Sequence, residues 1–260
     1  MRILLLSIFL CGAGVTACAQ IKLPVAPASA SQALQGLKNL QGAESGPTTK
    51  EIGQGLKEAL DAGVATGVAQ LSTVGGFAQS PAYRIPLPPE IKALEEKVRK
   101  NPLLSATMGP KLDGLVAAMN EGAEKAVQEA APIFKEAIVN MTIQDAVGIL
   151  QGGDGSATAY LKGATEPAVQ EAFAPVIDRA LKAVDIARYW TPLVQALNAN
   201  KGILGLSHDI ETDLPTYVNQ GATTAIYQEI AVQEAKIRKD PMARTSELLR
   251  KVFGSKLPLG

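Results

Sequence analysis

The sequence is poor in the residues that build metal and nucleic-acid sites. Its 260 residues include one histidine, two cysteines and only 4% aromatic residues. One His and two Cys cannot supply the nitrogen and sulfur ligands of a zinc site. Basic and acidic residues number 25 each, and this balance argues against a protein that binds nucleic acid by neutralising its phosphates. We therefore predict no metal, no other cofactor and no nucleic-acid partner.

Long apolar runs are also missing, which excludes a polytopic membrane protein. No stretch of strand length alternates apolar and polar residues with a period of two. Instead, 47% of the residues are hydrophobic, and they recur every three or four positions, as in the stripe Ile52, Leu56, Leu60 and Val64. This pattern predicts an all-α fold, a single compact domain of about eight to ten helices over residues 49–254. A short tail, 255–260, follows.

Glycine, proline and capping residues indicate where helices begin and end. Gly75-Gly76 ends the first helix, and the proline-rich stretch 81–89 favours a loop. Thr142 and Asp145 have the spacing of a capping box, with Asp in place of Glu. Thr165-Glu166-Pro167 is predicted to begin a longer helix, kinked at Pro175. Further helices are predicted from Leu214 to Ile237 and from Thr245 to Phe253.

The N-terminus reads as a targeting signal. Residues 1–17 combine one positive charge with an apolar stretch that is too short to span a membrane. Val15-Thr16-Ala17-Cys18 resembles a bacterial lipobox, in which cleavage precedes the cysteine and the cysteine is acylated. The alternative is ordinary cleavage after Ala19, which would discard Cys18. We favour the lipobox, and we interpret residues 18–48 as the lipidated cysteine and a flexible tether.

This interpretation predicts a location. A lipid on Cys18 would anchor the protein to a membrane, and Ala19 is not the Asp that usually retains Gram-negative lipoproteins in the inner membrane. By that resemblance we expect the outer membrane, facing the periplasm. Without acylation the protein would be soluble in the periplasm or secreted.

Several sequence blocks, spread in order over about 50–254, resemble one family of bacterial envelope proteins, catalogued as domain of unknown function 4197. The resemblance implies a secreted or lipid-anchored helical domain and no established activity. The blocks that carry it are Gly75-Gly76-Phe77 with Pro81, Arg84 to Pro88, Met119-Asn120 with Ala123 and Ala126, Met141-Thr142, Asp145-Ala146, Ile149-Leu150 and Gly152, Ala157-Thr158 with Tyr160-Leu161, Lys236 to Arg238 with Pro241, Ala243 to Thr245, Leu248-Leu249, and Lys251 to Gly254.

Two places in the sequence are candidates for ligand binding. The glycine-rich run that holds Gly153 and Asp154 precedes a helix and could present backbone N–H groups to an anion, but we favour a turn with helix caps, which explains the same residues. Arg84, between prolines, could bind a carboxylate or phosphate, or could pair with an internal acid such as Asp145. Asp145 itself fits a capping role better than a catalytic one.

The remaining candidates are weaker. Tyr160 could join Arg84 and the aspartates in a hydrolase site, and Arg244 belongs to a basic segment, 236–251, that could contact anionic lipid or polymer. His208 is the only histidine, and no serine lies in the nucleophile-elbow pattern that a Ser–His–Asp triad requires. We therefore predict no catalytic residue.

Three functions remain open. The first is a non-enzymatic interaction or scaffold module that meets an envelope protein, lipid or polymer. The alternative is a small-ligand or lipid carrier with an apolar pocket between helices. The third is a hydrolase that uses Asp145 and Asp154, which would require at least two of its polar residues within hydrogen-bonding reach.

Overall fold

The computed structural model describes residues 46–183 and 213–254, together with residues 190, 191, 194, 195, 198, 199, 202, 208 and 209 between them. The predicted signal peptide, Cys18, the tether up to residue 45 and the tail 255–260 lie outside the described residues. The described helices are α1 (Thr49–Ser72), α2 (Pro89–Lys100), α3 (Pro102–Val127), α4 (Ala130–Asn140), α5 (Ile143–Gln151), α6 (Ser156–Ala183), α7 (Leu214–Lys239), a 3₁₀ turn (Pro241–Ala243) and α8 (Glu247–Gly254). The predicted all-α fold is confirmed.

Helix α7 is the centre of the domain. It packs against α1, α3 and α6, and its buried residues lie on almost every side of the helix. Val218, Ala222, Ile226 and Ile230 supply the apolar part of this surface. A helix buried all round is predicted to be apolar throughout. Helix α7 nevertheless carries polar residues in its interior face, and these organise the sites described below.

Two capping boxes fix the starts of α1 and α5. The Thr48 hydroxyl accepts from the backbone N–H of Glu51, and the Glu51 carboxylate accepts from the backbone N–H of Thr48. Thr142 and Asp145 make the same reciprocal pair, at 3.1 and 3.0 Å. The capping box predicted at Thr142 is therefore confirmed.

The prediction that a helix begins at Thr165-Glu166-Pro167 is wrong. Helix α6 is continuous from Ser156 to Ala183 and contains both Pro167 and Pro175. Both prolines are exposed. The carbonyls four residues earlier, at Gly163 and Glu171, receive no hydrogen bond because proline has no N–H, and both of these residues are exposed as well. Water can solvate these carbonyls, so the missing hydrogen bonds do not end the helix.

The glycines of α1 allow neighbouring helices to approach closely. A Cβ added at Gly55 would lie 2.7 Å from Cγ2 of Val252 in α8. At Gly67 it would lie 3.3 Å from Cγ of Glu229 in α7. Ile52, predicted to belong to the apolar stripe, is only partly buried. The stripe that faces the core is therefore narrower and richer in glycine than the apolar residues alone indicate.

In the described part of the chain, no helix combines the length and the apolarity needed to cross a bilayer.

Candidate functional site

The loop between α1 and α2 is held against α3 by two buried polar side chains. Asn120 accepts from the backbone N–H of Ile85 at 2.9 Å and donates to the Ile85 carbonyl at 2.9 Å. One turn later, Glu124 accepts from the N–H groups of Phe77 and Ala78 at 3.1 and 3.4 Å. Both side chains are buried, and together they hydrogen-bond backbone N–H and carbonyl groups of the loop that have no partner within a helix. The backbone on either side of Arg84 is thereby fixed.

The same loop is also fastened to α7 through a buried carboxylate. Glu229 is 2% exposed and accepts from the Tyr83 hydroxyl at 2.5 Å. Gln70 of α1 and Gln233 of α7 donate to it as well. Burial, reinforced by the hydrogen bond to Glu229, raises the pKa of Tyr83 well above its usual value. Tyr83 therefore stays protonated and remains a donor at neutral pH.

These contacts leave an open groove between the loop and α7, with a cavity volume of about 320 Å³. Its walls include the side chains of Tyr83 and Tyr217, and Ile85 lies close to Gly221, where an added Cβ would be 3.1 Å from Cδ1 of Ile85. The Tyr83 hydroxyl donates to Glu229 and the Tyr217 hydroxyl donates to the Pro86 carbonyl at 3.2 Å. Both phenol hydroxyls are engaged within the protein.

Arg84 lies in this groove and is exposed. Its guanidinium has no ion pair or hydrogen bond to any residue that the structure describes, so the expected pairing with Asp145 is not found. Along α7, Gln220, Thr224 and Gln228 line the same groove at intervals of four residues. The groove therefore presents one permanent positive charge beside three polar side chains that face solvent.

The glycine-rich turn between α5 and α6 is bound by the end of α7. Gly153 and Gly155 have φ values of 79° and 82°, the left-handed region that favours glycine. The N–H groups of Ala157 and Thr158, which open α6, donate to the buried carboxylate of Glu234 at 3.1 and 2.9 Å. An internal carboxylate thus occupies the anion position that the sequence suggested at this helix start.

Basic residues at the end of α7 complete this turn. Arg238 donates through Nε to Glu234 at 2.9 Å and through Nη2 to the Ile149 carbonyl at 3.0 Å. Lys239 pairs with Asp154 at 2.6 Å, and this pairing lowers the pKa of the Asp154 carboxyl. The turn interpretation of Gly153 and Asp154 fits these contacts, because every charged group at the turn has an internal partner.

Asp145 and Tyr160 lie elsewhere on the domain. Asp145 is engaged by Thr142, whose hydroxyl and N–H lower the pKa of that carboxyl. Tyr160 is partly buried against the core, and burial raises the pKa of its phenol. No hydrogen bond or ion pair joins any two of Arg84, Asp145, Asp154 and Tyr160, all four of which the structure describes. The arrangement that a hydrolase was predicted to require is therefore not present in this structure.

Arg244 caps the C-terminus of α7. Its guanidinium donates to the carbonyls of Ile237 and Arg238 at 3.0 and 2.8 Å, where the helix leaves carbonyls without partners. Further along the basic segment, Lys251 pairs with Glu51 of α1 at 2.6 Å. Most of the positive charge that was a candidate for contact with an anionic surface is thus used in holding α7 and α8 in place.

An apolar pocket between α1, α7 and α8 has a volume of about 20 Å³, room for about one water molecule. Leu56, Leu60, Ile230 and Phe253 contribute to its lining. A lipid chain does not fit there. The described residues also contain no group of three or more His, Cys, Asp or Glu side chains that could hold a metal ion.

Comparison with known proteins identifies the family. The sequence profile of a family described as proteins of unknown function, DUF4197, matches residues 46–254. The chain belongs to the DUF4197 family. No curated protein and no solved structure shows significant similarity to it.

The blocks on which the DUF4197 resemblance rests meet in the fold. Phe77 and the Arg84–Pro88 block lie against α3, where Asn120 and Glu124 bind their backbone. The start of α6, which holds the Ala157-Thr158 block, is bound by Glu234 and Arg238 near the end of α7. These segments are far apart in sequence, and buried polar contacts bring each pair together.

Sequence reasoning missed the buried polar residues that make these contacts. Glu124, Glu229 and Glu234 are each less than 10% exposed, and none was singled out as a candidate. A signal existed: Glu124 follows Val116 and Asn120 at intervals of four, so a charged residue stands on the face that the apolar residues mark as buried. A charge at such a position predicts a buried hydrogen-bonding partner.

Proposed function

We propose that this DUF4197 member is a lipid-anchored protein of the cell envelope that acts by binding a partner molecule and not by catalysis. The predicted N-terminal signal with Cys18 supports the anchor, and the composition of residues 18–48 predicts a flexible tether between that anchor and the domain. The outer membrane, on its periplasmic side, is the proposed location.

One observation carries the binding role. The buried carboxylates Glu124, Glu229 and Glu234 are all engaged by internal donors, whereas the groove at Arg84 presents polar side chains that have no partner among the residues the structure describes. An active site normally gathers an acid, a base or a nucleophile within mutual reach. Binding needs only a shaped surface with a few convergent polar groups, which the groove has.

The anchor is tested by expressing the full-length chain in a Gram-negative host and comparing it with Cys18→Ala. We expect the mature wild-type chain to begin at Cys18, to carry the added mass of acyl chains, and to sediment with the outer membrane. Cys18→Ala should lack the acyl mass and leave the membrane fraction. Cys11→Ala is the matched control, because Cys11 lies within the discarded signal and the mature mass should not change. An unacylated wild-type chain that begins after Ala19 would refute the anchor.

The binding role is tested by native mass spectrometry of the protein extracted from its envelope in mild detergent. We expect a complex that loses a defined mass when the sample is denatured, and that mass identifies the partner class. A stoichiometric lipid would instead support the carrier function, and a bare monomer would refute stable binding.

A further inference from the structure

We infer that the groove at Arg84 is a binding site for a small organic oxyanion, a carboxylate or a phosphate ester. The inference rests on the proposed binding function and specifies its ligand. A guanidinium matches both oxyanions in shape and can donate two parallel hydrogen bonds to either.

The surroundings of Arg84 distinguish it from other surface arginines. Arg99 pairs with Glu95 and Asp113, and Arg238 and Arg244 are bonded within the protein. Arg179 also lacks a partner among the described residues, but it projects from the exposed face of α6 and lines no described pocket. Among the arginines that the structure describes, only Arg84 both lines a concave site and has a guanidinium without a partner among the described residues.

The charge of the groove suits an anion. Of the described residues that line it, Arg84 is the only charged one. The neighbouring acid, Glu229, lies behind Tyr83, is 2% exposed, and has its oxygens bonded to three neutral donors. An oxyanion bound at Arg84 therefore meets a positive charge without a competing carboxylate in the groove.

Hydrogen bonds also hold the backbone of the groove in place next to Arg84. Asn120 binds both the N–H and the carbonyl of Ile85, next to Arg84, and the Arg84 N–H donates to the Ser80 carbonyl at 3.0 Å. Ordering a flexible loop opposes binding, so a loop fixed in advance binds more tightly. The backbone that carries Arg84 is fixed before any ligand arrives.

Size and lining indicate a small ligand with a flat or apolar body. The volume of about 320 Å³ is at the lower end of small-molecule sites, which start near roughly 300 Å³. Tyr83 and Tyr217 contribute ring surfaces, because their hydroxyls are used internally. Gln220, Thr224 and Gln228 can hydrogen-bond polar groups beyond the oxyanion.

The test titrates the mature chain, in a non-ionic detergent, with three probes of similar shape: benzoate, phenyl phosphate and neutral benzamide. Backbone amide NMR signals of residues 82–85 and 217–228 report the groove. We expect at least one anion to shift these signals saturably and benzamide to leave them unchanged. Binding of benzoate alone would assign a carboxylate, and binding of phenyl phosphate alone would assign a phosphate ester.

Arg84→Gln should weaken binding of the anion about ten-fold or more, since a hydrogen-bonded charge is removed. Arg179→Gln, the matched control, removes another exposed guanidinium and should leave the affinity unchanged. Arg84 has no internal partner, so we expect its replacement to preserve the fold, and circular dichroism checks this. Equal affinity of wild type and Arg84→Gln, equal binding of benzamide, or no anion binding would overturn the inference.

Failure here is separable from failure of the proposed function. Acylation and membrane fractionation do not depend on Arg84, and Arg84→Gln should behave as wild type in both. A chain that is anchored and carries a partner, but ignores both anions, would overturn the ligand class alone.

Discussion

Replacing Glu234 with alanine tests the contact that joins α7 to the start of α6. The carboxylate accepts from two backbone N–H groups, from the Thr158 hydroxyl at 2.7 Å and from Arg238 at 2.9 Å. The side chains of Glu234 and Arg238 are 6% and 11% exposed. Glu234→Ala would leave a nearly buried guanidinium without its counter-charge and two helix-start N–H groups without acceptors.

The size of the effect follows from this burial. Removing one partner of a buried ion pair destabilises a protein by about 3–5 kcal/mol. Arg238 keeps its bonds to the Ile149 carbonyl and the Ser156 hydroxyl, so we expect the lower end, about 3 kcal/mol. For a domain of this length that corresponds to a fall in Tm of about 6–12 °C.

Urea unfolding followed by far-ultraviolet circular dichroism measures the loss. Lys239→Ala is the matched control, because Lys239 forms an ion pair with Asp154 in the same turn but with side chains 68% and 59% exposed. We expect a much smaller loss of stability there, because water and salt screen an exposed ion pair. Glu234→Gln keeps the side-chain volume and separates loss of charge from loss of packing. If Glu234→Ala is no more destabilising than Lys239→Ala, the buried cap is not what holds α6 to α7.

Three further predictions concern packing and titration. Gly55→Ala places a methyl group 2.7 Å from Val252 and should lower Tm. Gly114→Ala, on an exposed helix face, meets no atom within 4 Å and should stabilise the protein by about 0.5–1 kcal/mol. Equal Tm values of the two variants would contradict the packing of α1 on α8. The pKa of Glu51 is lowered from its ordinary 4.5 to about 2, chiefly by the hydrogen bond from Lys251 of α8. The stability advantage of wild type over Glu51→Gln should therefore be full above pH 4.5 and disappear as the pH falls towards 2. Urea unfolding across this pH range would show no such trend if the contact were absent. Burial raises the pKa of Tyr83 above its ordinary 10.0. The stability advantage of wild type over Tyr83→Phe should therefore be constant below pH 10 and shrink above it. A stability difference that grows at alkaline pH would refute the contact between Tyr83 and Glu229.

Local signals in the sequence predict the helices of this protein well. Thr142 and Asp145 identify a helix start because both halves of a capping box lie within four residues. Gly75 identifies a helix end because its φ of 83° suits glycine. Pro167 misled because proline ends a helix only where the freed carbonyl cannot be solvated, and exposure is a property of the folded domain.

The candidate site could be predicted only in part. Arg84 was identified from its neighbours in sequence, but its groove is formed by α7, whose residues lie far along the chain. The role of Gly153 and Asp154 likewise depended on Glu234 and Arg238, which reach the turn from another helix. A pairing across such a distance has no local pattern. The best available indication was a charged residue on an apolar helix face, as at Glu234.

The packing of α1 against α7 and α8 has a consequence for biosynthesis. Among the described helices α1 is made first, and two of the helices that pack on it, α7 and α8, are made last. Contacts between distant parts of a chain close slowly and late, so the nascent domain has no complete core until its C-terminal helices have emerged. The chain therefore lacks its full native packing for most of its synthesis, a state that suits the export through a secretion channel that we propose.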